Sequence, residues 1–166
     1  MYGQQLGPDN AIWDDGEWIS WDWINEQLEE QELRERYPHA DLEIVRIFQD
    51  LLSTACDYFE LTGRHLHVYG DIGELYGAIT HGIKLHRNFA QGSDGRLGND
   101  FIEIKTITPF NQKNRVEVNL DDRNFSKVLI VKVTEDYEVS GKLVDRKSFG
   151  KSKGKVRLNW DSIPAS

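Results

Sequence analysis

One cysteine, one methionine and four prolines stand in a chain of 166 residues. No apolar run approaches the roughly 18–20 residues that span a bilayer. A lone Cys56 excludes an internal disulfide and a cysteine-built zinc cage. The opening stretch MYGQQLGPDNAIWDDGEW has neither a basic region nor an apolar segment, so no signal peptide is read in it. Gly-X-Ser-X-Gly and a Cys–His pattern for nucleophilic catalysis are missing too. The pairs Gly70/Gly73 and Gly73/Gly77 are too sparse for a phosphate-cradling loop and fit close helix packing instead. Basic side chains are scarce at the start: residues 1–63 hold Arg34, Arg36 and Arg46 against fifteen acidic groups. These absences leave a cytoplasmic protein without a membrane partner as the expectation.

What is present is globular in character. Hydrophobic residues make up 39% and charged residues 29%, with 11% aromatic, enough to bury a core in one domain with a terminal appendage. The formal net charge of −8 hides a division, because residues 64–166 carry seventeen basic side chains against thirteen acidic ones. Seven of those bases fall between Lys142 and Arg157, the best place for contact with a polyanion. A solvated basic loop is the plainer explanation of the same run.

Periodicity divides the chain into helices followed by strands. Residues 1–40 read as an acidic, tryptophan-rich helical extension and 41–166 as the main domain. Residues 1–19 carry no regular pattern, and Trp13, Trp18, Trp21 and Trp23 are expected to cap the core. A helix is expected from Asp22 to Arg36, capped by Ser20 and facing inward through Trp23, Ile24, Leu28 and Leu33. A strongly periodic second helix runs from Asp41 to Leu61 and ends at Gly63. A short extended piece, His65 to Tyr69, precedes a third helix over 71–82. Strands are then expected at Lys84–Phe89, Phe101–Ile107, Val116–Val118, Val128–Val133, Tyr137–Asp145 and Val156–Trp160, giving a mixed α/β (α+β) sheet of four to six strands.

The chemistry concentrates around Glu103-Ile104-Lys105. Alternation along a strand puts Glu103 and Lys105 on one face and Ile102 and Ile104 on the other. An acid and a base within an apolar strand cost free energy unless they are paired or hold an ion. Asp94, across a turn-rich connection, brings a second carboxylate, and Glu74 on the third helix brings another. A divalent cation that prefers oxygen ligands relieves the repulsion between them. The simpler alternatives are an exposed cross-strand ion pair for Glu103–Lys105 and a macrodipole-favoured acid for Glu74. Asp100, three residues before Glu103, reads as a turn residue. His65, His67, His81 and His86 lack zinc-ligand spacing and read as surface or cleft-lining histidines.

The order helix with Glu74, strand and turn with Asp94, then Glu103-Ile104-Lys105 resembles the PD-(D/E)XK nuclease superfamily, with its restriction-endonuclease-like fold. The resemblance covers roughly residues 70–135, and the phrases GELYGAITHGIKL and IEIKT resemble those of small bacterial nuclease-like domains. Ser93 stands where proline precedes the aspartate in the family's name pattern. The resemblance implies a mixed central sheet flanked by helices and metal-dependent hydrolysis of DNA phosphodiesters. It implies Mg²⁺, with Mn²⁺ as a substitute, held by Asp94, Glu103 and the Ile104 carbonyl. Lys105 would orient or deprotonate water and Glu74 would assist. Thr106, Thr108, Lys147, Lys151, Lys153 and Lys155 are the expected phosphate contacts. Many such nucleases act as dimers, so a homodimer, or a partner protein on the acidic tryptophan-rich segment, is the expected assembly. The rivals are a catalytically inactive domain that binds nucleic acid or protein, and an acidic nucleic-acid mimic.

Overall fold

The computed structural model describes residues 3–87, 92–121 and 123–165. The chain opens with a hairpin, β1 (Ala11–Asp14) and β2 (Glu17–Ser20), where an irregular stretch was expected. Its turn is Asp15-Gly16, both at positive φ (42° and 97°), a geometry that Asp-Gly adopts readily between strands of right-handed twist. Trp13 and Trp18 pair across it with centroids 5.3 Å apart, edge to face. They do not cap the core: Trp13, Trp18, Trp21 and Trp23 are all exposed, Trp13 by 58%.

Helix α1 (Trp21–Arg36) starts at Ser20, whose hydroxyl accepts from Trp23 N–H, and stops at Tyr37 before Pro38. Of its expected inward face only Leu33 is buried, since Trp23 and Leu28 point to water. Helix α2 (Leu42–Thr62) is capped by Asp41 and ended by Gly63 at φ 69°. Leu33 and Tyr37 pack against Leu42, Val45 and Phe48 of α2, and against Tyr69, Ile72 and Ile79 of α3 (Tyr69–His81). His65–Val68 is a non-strand link, and Tyr69 already belongs to α3.

Five strands form the central sheet in the order β3 (Lys84–Leu85), β4 (Gly95–Leu97), β5 (Asp100–Ile107), β7 (Lys127–Val133), β8 (Val139–Asp145). Only β5 and β7 run parallel; the other neighbours are antiparallel. Asn88 and Phe89, the end of the strand expected after Lys84, lie outside the described residues. The connection expected to be pure turn contains β4.

The two faces of the sheet are covered differently. Ile83, Ile102, Ile104, Leu129 and Val131 pack on the α3 side. Ile107, Val128 and Ile130 face a separate two-stranded ribbon, β6 (Arg115–Asn119) with β9 (Lys155–Asn159), which contributes Val116 and Val118. A parallel pair needs a long crossover, usually helical. Here β6 lies in that crossover, so among the described residues helices cover one face and a β-ribbon the other.

Candidate active site

The site forms where β4 leaves β5. Their ladder runs from Leu97↔Asp100 to Gly95↔Ile102, and Asp94 N–H still donates to the Ile102 carbonyl at 2.9 Å. The next amide on that edge, Ile104 N–H, has no β4 strand opposite it. The Asp94 carboxylate takes its place, accepting from Ile104 N–H at 2.6 Å through Oδ2. Strand geometry turns the Ile104 carbonyl to the same edge as its N–H. Asp94 is thus fixed against the middle residue of Glu-Ile-Lys by backbone geometry.

Behind it, His86 Nδ1 lies 3.3 Å from both the carbonyl and the hydroxyl of buried Ser93, and His86 N–H donates to the Asp94 carbonyl at 2.9 Å. Phe101 packs edge-on to the His86 ring. His86 therefore braces the turn that presents Asp94. Its role was not readable as such, because it depends on the β3–β4 register.

Alternation on β5 is as expected. Glu103 and Lys105 share a face and pair at 3.1 Å, while Ile102 and Ile104 enter the opposite core. The pair is not the exposed one that would carry no meaning, since Glu103 is only 4% exposed. Lys105 satisfies Oε1, and Oε2 is buried with no hydrogen-bond partner. A buried carboxylate oxygen left bare is costly, of the order of 1–3 kcal/mol or more for a charged group, unless a cation or donor meets it.

Glu74 joins from α3, half-buried. Its pKa is raised by burial first, then by the negative charges of Asp94, Asp71 and Glu103. The close approach that brings α3 here is made at Gly73: a side chain there would run into the Thr106 hydroxyl on β5. Gly77, one turn on, lies against Leu129, Ile83 and Ile104 in the same way.

Of the sequence-predicted residues, Glu103 and Lys105 pair directly, Asp94 binds the amide between them, and Glu74 lies within electrostatic reach of Asp94 and Glu103. Among the described residues no three His, Cys, Asp or Glu side chains lie close enough to hold a metal ion by themselves. Two carboxylates plus a carbonyl nevertheless suit Mg²⁺, which keeps several waters and takes one or two protein carboxylates. The buried, bare Glu103 Oε2 and the Asp94 carboxylate bound at Ile104 N–H are donors of the kind such an ion takes.

The expected phosphate contacts scatter. Thr106 turns its hydroxyl to Gly73, on the face opposite Glu103 and Lys105, and Thr108 follows the end of β5. Lys155 pairs with Glu117 at 3.2 Å, and Lys151 Nζ donates to the Lys155 carbonyl at 2.6 Å. Lys147 and Lys151 line a cleft of about 860 Å³ together with Asp100, Ser126, Asp145 and Arg146. That cleft lies at the start of β5, away from the carboxylates. Asp100 is there a strand residue rather than a turn, held by Ser126 Oγ at 2.7 Å and Lys127 at 3.6 Å, which keep its carboxyl below the usual range.

No described helix is long and apolar enough to cross a membrane. In comparisons with known proteins, no family model matches the chain and no curated relative does.

Proposed function

We propose that the chain is a metal-dependent phosphodiesterase acting on DNA through a site of the PD-(D/E)XK type. The observation that carries this reading is the buried, unpartnered Oε2 of Glu103, set beside Lys105 and next to the β-edge that Asp94 occupies. Asp94, Glu103 and the Ile104 carbonyl would hold Mg²⁺ or Mn²⁺. Bound there, the ion supplies an acidified water and neutralises charge on the scissile phosphate. Lys105, a third exposed, reaches from the buried carboxylate toward solvent, where its ammonium orients the attacking water or meets developing negative charge. Glu74, with its raised affinity for a proton, stands ready to receive one at its carboxylate.

A non-catalytic binding domain is the second reading. It is favoured by one observation: Asp94 already serves the fold by accepting from Ile104 N–H. Cleavage assays separate the two. Plasmid, linear duplex and single-stranded DNA are incubated with Mg²⁺ or Mn²⁺ and with wild type, Lys105→Ala or Asp94→Ala. The nuclease reading expects metal-dependent cutting that both substitutions abolish. Intact substrates in every lane, together with metal-independent DNA binding, would leave the binding domain.

A further inference from the structure

An aromatic platform forms where the end of α2, the start of α3 and the connection after β5 meet. His65 is stacked on Phe59 (centroids 4.4 Å apart, 18° between planes), and Phe110 lies on it at 4.5 Å. From below, His65 Nδ1 is 3.1 Å from the Tyr69 hydroxyl, itself 3.3 Å from that of Tyr137. The support is therefore fixed, whereas Phe110 is 54% exposed. Tyr69 opens α3 one turn, about 6 Å, before Gly73, where the helix abuts Thr106, the residue that follows Lys105 on β5 and faces the other side of the sheet. Phe110 stands in the connection that leaves β5 just beyond Lys105 and leads to Lys113 and Arg115. With Arg157 these two line a shallow cleft of about 220 Å³. Its one acid, Glu117, is engaged by Lys155 and Arg157.

Along the chain, the strand that carries the proposed site is followed by an exposed ring and then by the residues of a cationic groove. Proteins that bind single-stranded nucleic acid combine a positive groove for the backbone with rings on which bases stack. A duplex keeps its bases stacked on one another and offers Phe110 no free π-face. The larger apolar face, the tryptophans of β1 and β2, carries no comparable argument, because nothing in the structure shows what covers it. We propose that Phe110, backed by His65 and Phe59, stacks an unpaired base, so that the preferred substrate is nucleic acid with a single-stranded segment. This inference rests on the nuclease reading of the Glu103 site.

Fluorescence anisotropy with a labelled oligothymidylate and a labelled hairpin duplex, in EDTA, tests it on the full chain. Wild type is expected to favour the oligothymidylate. Phe110→Ala should weaken that binding about 5- to 100-fold and leave duplex binding unchanged. Phe110→Trp should restore it, and Phe110→Leu, which keeps apolar bulk without a π-face, should not; circular dichroism checks folding. If Phe110→Ala binds oligothymidylate like wild type while duplex is bound or cut with Mn²⁺, base stacking is wrong and the nuclease reading stands. If neither nucleic acid is bound or cut, both are wrong.

Discussion

Glu103 is the residue on which the proposed chemistry turns, because its buried, unpartnered Oε2 is unfavourable to folding. Glu103→Gln removes a buried charge and keeps an oxygen for Lys105. The metal-free variant should therefore be at least as stable as wild type in urea unfolding, while cleavage falls by about 10²-fold or more. Lys105→Ala does the reverse to stability: it leaves the Glu103 charge unpaired and should cost about 1–3 kcal/mol, less than a fully buried pair because Lys105 is a third exposed. Glu74 gives a pH signature. Its folded-state pKa is raised, so its contribution to stability is complete below the ordinary glutamate range and is lost as pH rises through the raised value. In EDTA, Glu74→Gln should raise the melting temperature near neutrality and have little effect below about pH 4; equal melting temperatures at neutral pH would remove the argument. The pairing of Glu103 with Lys105 was legible because strand alternation dictates it. The packing of Thr106 on α3 was not legible, because the face that α3 covers is decided by Gly73, far off in sequence.

At the scale of elements, the α3–β5 contact holds the site together. Gly73→Ala drives a methyl into the Thr106 hydroxyl and should cost about 1–3 kcal/mol, with loss of cleavage as Glu74 shifts. Thr106→Ala should recover most of that stability in the double variant; simple additivity in chemical denaturation would show the two are not in contact. The helices were readable from capping and apolar spacing, as Ser20, Asp41, Gly63 and Gly82 show at their ends. The β1–β2 hairpin was signalled by Asp-Gly between Ile-Trp and Glu-Trp and passed over because both strands expose their large side chains. The ribbon face was not readable. A two-residue apolar alternation such as Val116-Glu117-Val118 looks the same whether the strand joins the main sheet or packs across it.

At the scale of the molecule, part of the basic run from Lys142 to Arg157 serves the fold. Arg146 donates to the carbonyls of Leu120, Arg123, Phe125 and Ser152 and lies over the Phe125 ring, tying two loops to the end of β8. Lys142 reaches the Trp160 carbonyl and ring. Arg146→Ala should therefore destabilise by about 2–3 kcal/mol, whereas Lys147→Ala and Lys153→Ala should leave the melting temperature alone. If those two lysines meet phosphate, each removal should also lower the slope of log affinity against log salt by about 0.9; unchanged slopes would assign the run to structure alone. The central claim, a divalent-cation site at the β4–β5 fork, is tested most directly by isothermal titration of Mn²⁺ into wild type, Glu103→Gln, Asp94→Asn and the surface control Glu117→Gln. The account predicts a binding event that Glu103→Gln and Asp94→Asn lose and Glu117→Gln keeps. Equal Mn²⁺ affinity in all four proteins would contradict it.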